Sequence, residues 1–219
     1  MTDKTPKEIA LETRATEADK LYSPSVARNR EAIRAAFKAH MPAVGKVLEI
    51  ASGTGEHAVH IAAACRDIDW RPGDPDAASR ASIAAWTAAT GHANLAPPHA
   101  IDAREPLWGV EDDAPFAGVI SINMIHIAPR PAMEGLIAGA GRLLGKDGKL
   151  FLYGPFMREG AHTAPSNAAF DENLKSRDPS WGVRDLESEV VPLAANAGLT
   201  LDAVLEMPAN NFSIVFKRS

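Results

Sequence analysis

The run Leu48-Glu49-Ile50-Ala51-Ser52-Gly53-Thr54-Gly55-Glu56 sets a carboxylate just ahead of two spaced glycines. Glycines so placed let a backbone turn tightly and come close to a bound ligand. A plain strand-to-helix turn is the alternative; the position in the first β-α unit favours a ligand loop. Three further groups follow at the ends of later apolar runs, where open α/β sheets bind ligands. Asp74, in Arg71-Pro72-Gly73-Asp74-Pro75-Asp76, can accept from both hydroxyls of a ribose, leaving Asp76 to cap the next helix. Asp102-Ala103 offers a carboxylate to an amino group such as that of adenine. Asn123-Met124-Ile125-His126 supplies an amide and an imidazole, and His126 has the proton affinity best suited to a general base. His57 and His60 are spaced for one helix face, but no third ligand stands in register, so no metal site is expected.

Two cofactors compete for the glycine loop. Gly53-x-Gly55-x-x-Ala58 also satisfies a dinucleotide fingerprint, with Asp74 near the acidic position about twenty residues on. Glu49 decides between them. A carboxylate beside the loop repels a pyrophosphate, whereas S-adenosylmethionine (SAM) brings a cationic ammonium and a positive sulfonium. SAM is therefore the expected cofactor, with Glu49, Ala51, Ser52, Gly53, Gly55, Asp74, Asp102, Ala103 and Asn123 as its expected contacts. The acidic residue followed by spaced glycines resembles motif I of class I methyltransferases. Ala51 departs from that pattern, since a first glycine is common there, and it is expected to avoid positive φ.

The elements that must position these groups alternate in type. Ser23-Pro24 offers a helix start, with Val26, Ile33, Phe37 and Met41 at roughly helical spacing before Pro42 and Gly45. Val47 to Ile50 is a short buried strand, followed by a helix to about Ala64. Strands are expected near Ile68 to Gly73, His99 to Ile101, Gly118 to Asn123 and Lys149 to Tyr153. Helices are expected over Asp76 to Thr90, from Pro131 to Gly145, and over Leu186 to Asn196. Residues 154–185 look irregular, with Phe156, Phe170 and Trp181 amid prolines and glycines. Leu199 to Glu206 and Phe212 to Lys217 flank a turn too short for a parallel crossover, so that pair must be antiparallel. The outline is an α/β, Rossmann-like class I methyltransferase fold: a mainly parallel seven-stranded sheet ending in an antiparallel hairpin, with helices on both faces.

Length and composition fit that outline. At 219 residues the chain suits one α/β core, read as a flexible arm over 1–20 and one methyltransferase domain over 21–219. A net charge of -5 argues against a nucleic-acid partner, which needs a basic face. Cys65 is the only cysteine, so no internal disulfide can form and a reducing compartment fits. The polar start lacks the apolar stretch of a signal peptide, and no apolar run reaches membrane-spanning length. A cytoplasmic protein acting on a small molecule is the expectation.

A more specific resemblance rests on six segments. Tyr22-Ser23-Pro24-Ser25-Val26-Ala27-Arg28-Asn29, Leu48 to Gly55, Asn123 to His126, Tyr153-Gly154-Pro155-Phe156, Trp181-Gly182-Val183-Arg184-Asp185 and Met207-Pro208-Ala209-Asn210-Asn211 together resemble the methyltransferase-like 26 family. The likeness covers nearly the whole chain after its N-terminal stretch, and Ala51-Ser52 matches the family's own variant of the loop. It implies the fold and the SAM cofactor and leaves the substrate open. On this reading Arg28 and Asn29 bind the SAM carboxylate or shape the acceptor pocket. Asn210 and Asn211 reach the ligand edge, and Phe156 to Trp181 forms a lid that excludes water. His126 is the candidate base, with Asn123 and Asn210 as polar orienters. A nicotinamide-dependent oxidoreductase and a catalytically silent SAM-binding interaction protein are the two alternatives.

Overall fold

Val47, Leu48 and Ile50 are apolar on both sides of a short extended segment, so the strand they form has to be covered on both faces. The computed structural model describes residues 14–219 and meets that demand with a central six-stranded sheet. A hairpin, β1 (Ala15–Glu17) and β2 (Lys20–Tyr22), leads into helix α1 (Pro24–His40). There follow β3 (Gly45–Ile50), α2 (Glu56–Ala64), β4 (Ile68–Gly73), α3 (Ala77–Thr90), β5 (Phe116–Ile122), α4 (Arg130–Leu143) and β6 (Leu144–Gly154). Two short strands, β7 (Met157–Arg158) and β8 (Ala161–His162), pair with each other ahead of α5 (Pro165–Arg177). A π-helical turn over Leu186–Val190 runs into α6 (Val191–Asn196), and β9 (Leu199–Met207) and β10 (Asn211–Arg218) close the chain.

The sheet order is β4-β3-β5-β6-β10-β9. β4, β3, β5 and β6 run parallel, and β10 is antiparallel to both β6 and β9. The expected C-terminal hairpin is therefore present. The expected seventh strand is not: Leu95 and His99 make only isolated parallel bridges to Trp70 and Gly73. Pro97 and Pro98 lie between those bridges and have no N–H to give a ladder.

Side chains alternate across β3. Leu48 and Ile50 pack toward α4 and α6, in the cluster that holds Met133, Leu136, Val190 and Ala194. Val47 packs on the opposite face with Phe37 of α1, Ile61 of α2 and Trp70. Period-two alternation puts Glu49 on the Val47 side, beneath Trp70. Because β3 has β4 on one side and β5 on the other, the chain reverses its winding there. Such a switch point opens a crevice at the carboxyl ends of the strands.

Three departures from the sequence expectation bear on the site. Residues 15–22, partly inside the stretch expected to be a flexible arm, form the β1–β2 hairpin; residues 1–13 of that expected arm lie outside the described residues. Leu21 N–H donates to Ser82 Oγ at 2.8 Å, Trp86 Nε1 donates to Leu21 O at 3.1 Å, and Tyr22 packs edge-on to Trp86. The stretch after β6, expected to be irregular, contains α5. The expected single helix over Leu186 to Asn196 begins as a π turn, because Pro192 cannot donate to the preceding turn.

Candidate functional site

β3 ends at Ile50, and Ala51 to Gly55 turn the chain into α2. Ala51 has φ 59, in the left-handed region, which corrects the expectation that it would avoid positive φ. Hydrogen bonds to the end of β4 hold it there. Ser52 N–H donates to Gly73 O at 3.0 Å, and Gly73 N–H returns a bond to Ser52 Oγ at 3.2 Å. Gly53 N–H donates to the Asp74 carboxylate at 2.9 Å, and Gly55 N–H donates to Ser52 O at 3.1 Å. Gly55, at φ 88, lies so close to α3 that a Cβ would sit 2.9 Å from Ile83 Cα.

Two cavities meet at this loop, of about 620 and 650 Å³, sharing Arg14, Ala51, Gly53, Ile122 and Ile127. The first runs over the ends of β4 and β5. Asp74, Asp76 and Asp102 supply its acidic groups, and Ile101, Ala103 and Met124 are among its apolar ones. Asp74 accepts N–H groups from Gly53 and Asp76, each at 2.9 Å, and burial raises its pKa. Asp76 caps α3 by accepting Ser79 N–H at 2.7 Å. Asp102 is gripped by the Arg104 guanidinium, whose hydrogen bonds hold its pKa low.

The second cavity receives Glu49, Ser52, Arg28, Asn29, Asn123 and Asn210. Glu49 is 2 % exposed and accepts Trp70 Nε1–H at 3.0 Å. Burial pushes its pKa up to about 7 against the opposing pull of the indole. The structure thus brings every expected cofactor contact except Gly55 to one of the two cavities, and Gly55 serves the packing of α2 on α3.

His126 is the exception among the expected catalytic residues, and its assignment as general base is corrected. Asn123, at φ 62, turns the chain into a 3-10 turn, Met124–His126, that carries the imidazole inward. The side chain is fully buried, packs against Phe156 with ring centroids 4.8 Å apart, and lines neither cavity. Nδ1 accepts Arg184 N–H at 3.2 Å, and the backbone O accepts Gly182 N–H at 2.9 Å. Burial lowers its pKa to about 3. His126 ties the 182–184 segment to the end of β5 and meets no acceptor.

Other residues of the second cavity went unassigned in the sequence. His57, buried with its pKa lowered to about 3 by burial, contacts Asn29 Oδ1 through Nε2 at 3.0 Å. His60 turns instead to Glu31 at 3.1 Å, so the two histidines part company. Tyr153 is 3 % exposed, and burial raises its pKa while hydrogen bonds with Asn29 and Asn211 oppose that rise. Ser166, Asn167 and Asn173 arrive on α5, and no local sequence signal marks their register with the site. Phe170 lines this cavity and Trp181 the first, so two of the three aromatics expected in a lid face the site, while Phe156 is buried on His126.

Residues 20–218 match a family described as "Protein of unknown function (DUF938)". The chain belongs to the DUF938 family. Solved structures share the fold of this DUF938 chain at low identity. The mitomycin 7-O-methyltransferase MmcR superposes with a TM-score of 0.74 at 14% identity, over 89% of this chain and 54% of that one. An O-methyltransferase family 2 protein of Planctomyces limnophilus DSM 3776, in complex with apigenin, gives 0.71 at 20%, over 89% and 60%. The O-methyltransferase NcsB1 from neocarzinostatin biosynthesis, with SAM and 2-hydroxy-5-methyl naphthoic acid, gives 0.71 at 18%, over 89% and 54%. The DUF938 chain spans a little over half the length of these structures. The fold is the Rossmann-like one of methyltransferases.

Proposed function

We propose that this DUF938 chain is a SAM-dependent methyltransferase acting on a small-molecule acceptor in the cytoplasm, and that it falls in the methyltransferase-like 26 family on the six segments quoted above. One observation carries the choice of cofactor. The glycine loop spends its N–H groups internally: Ser52 on Gly73, Gly53 on Asp74, Gly55 on Ser52. A pyrophosphate cradle needs those donors free and no carboxylate among them. The residues present fit SAM instead. Glu49, buried and short of a counter-charge, faces the cavity where an ammonium would restore its ionised form. Asp74 retains lone pairs for ribose hydroxyls, Asp102 can accept from an adenine amino group, and Ile101 and Met124 offer the ring an apolar wall. When bound, SAM supplies an electrophilic methyl on sulfur. The protein's part is to orient the acceptor and exclude water, which is where most of the acceleration of such a transfer can come from.

Neighbours of the same fold support this reading, since those quoted are O-methyltransferases and two are recorded with small aromatic molecules. Calorimetric titration of the full chain with SAM, S-adenosylhomocysteine and NAD tests it. Stoichiometric binding of the first two without NAD is expected; the opposite pattern would restore the oxidoreductase. A methyl-release screen then separates an enzyme from a silent SAM binder.

A further inference from the structure

The chain has eight asparagines, and six of them line the second cavity: Asn29, Asn123, Asn167, Asn173, Asn210 and Asn211. They come from α1, the end of β5, α5 and the β9–β10 turn, so no local sequence feature gathers them. Some are partly committed. Asn167 Nδ2 donates to Asn210 O at 2.8 Å, and Asn210 Nδ2 donates to Ser166 Oγ at 3.3 Å. The Asn123 and Asn173 side chains make no hydrogen bond to another described residue. The part of the lining supplied by α5 and the β9–β10 turn, Ser166, Asn167, Phe170, Asn173, Asn210 and Asn211, carries no formal charge.

Building on the methyltransferase reading, we infer that the second cavity takes a neutral heteroaromatic lactam as methyl acceptor. A carboxamide presents a donor and an acceptor side by side, which is the complement of a lactam's C=O and N–H edge. Phe170 provides an aromatic face for a flat ring. The protonation chemistry favours the same class. Among the described lining residues, His57 is held neutral with its pKa at about 3, and His126 is sealed away. Glu49 is assigned to the cofactor's ammonium. An aliphatic alcohol would find no base there, whereas a neutral lactam needs none before the transfer, because its carbonyl oxygen carries electron density donated by the ring nitrogen. An oxygen lone pair forms the bond to the methyl carbon, and the C–S bond breaks with its electron pair on sulfur. The methylated cation then releases its N–H proton to solvent, and the products are the O-methylated lactam and the neutral thioether S-adenosylhomocysteine.

The test uses the full chain in two stages. Calorimetry with SAM comes first; failure to bind would overturn the cofactor reading, and this inference with it. With S-adenosylhomocysteine present, ligand-observed NMR then compares 2-pyridone and uracil with 1-naphthol and myo-inositol, and mass spectrometry follows methylation with SAM. Binding and methylation of the lactams in preference to the other two is expected. Asn173→Leu, on the exposed side of α5, and Asn211→Ala, in the β9–β10 turn, should each weaken lactam binding about tenfold, the worth of one hydrogen bond, with SAM affinity unchanged. If SAM binds but naphthol or inositol is preferred, if none of the four binds, or if both variants bind lactam normally, the lactam assignment is wrong and the cofactor reading stands.

Discussion

Replacing Glu49 with Gln probes the one buried acid that the cofactor reading requires to be charged. Burial raises its pKa from 4.5 to about 7, so ionising it in the free protein costs about 3 kcal/mol more than in water, at 1.36 kcal/mol per unit. A bound ammonium lowers that pKa again, so ligand binding releases a proton. Affinity for S-adenosylhomocysteine should therefore fall as pH drops below 7, approaching about tenfold per unit until the bound-state pKa is reached. Calorimetry between pH 5.5 and 7.5 reads this directly. In Glu49→Gln the affinity should be lower at pH 7.5 and nearly independent of pH. The stability of the free protein should move the other way. A folded-state pKa above the unfolded one makes the native state bind more protons between 4.5 and 7, so stability falls as pH rises through that window. Glu49→Gln removes that loss, and its melting temperature should exceed wild type at pH 8. Flat wild-type affinity across the range, or unchanged affinity in the variant at pH 7.5, would refute the placement of the ammonium.

Three other changes have outcomes fixed by geometry. Ala51→Gly relieves a side chain held at φ 59 and should raise stability by up to about 1 kcal/mol in chemical denaturation, since left-handed backbone costs about 1–2 kcal/mol and glycine returns part of that as entropy. Gly55→Val drives a branched side chain into Ile83 Cα and strains φ 88; a loss of about 2 kcal/mol or more is expected, with SAM binding lost through displacement of α2 and α3. His126→Ala should destabilise the fold by about 2–3 kcal/mol through a cavity beside Phe156, while leaving the pH profile of methyl transfer unmoved, because the imidazole meets no acceptor.

The half of the site proposed to hold the cofactor was legible because its signals are local. Glu49, Gly53 and Asp74 each stand at a strand end, and periodicity locates strand ends well enough for the ligand edge to follow from the fold rule. The acceptor half was not, and α5 shows why. Its inward residues are Asn167, Asp171 and Leu174, spaced as one helix face but mostly polar, so no apolar stripe marks them. Asp171 accepts Val183 N–H at 2.8 Å and Lys175 Nζ at 2.6 Å, and these tertiary partners satisfy a carboxylate whose burial no local pattern announces. The seventh strand is absent for the converse reason: His99 to Ile101 is strand-like in pattern, but Pro97 and Pro98 just before it cannot donate to a ladder.

His126 and Ala51 show the limit of reading residue type as role. A histidine just past a strand end has the right chemistry for a base, but the direction of its ring was decided by the backbone at Asn123, which sequence does not display. Ala51, Asn123, Ala209 and Asn210 are all non-glycine residues with φ between 57 and 62, and all four line the second cavity. Asparagine tolerates that conformation and alanine does not, so the two alanines mark places where the surrounding structure overrides local preference. At Ala51 the overriding contacts are visible, since Ser52 and Gly53 are bound to the end of β4. The consequence is a loop whose Ser52 and Gly53 N–H groups are bound at the end of β4 and whose Gly55 N–H is bound to Ser52 O. On the methyltransferase proposal, that arrangement makes the buried Glu49 carboxylate, at the end of β3, the group that favours a ligand ammonium over a pyrophosphate.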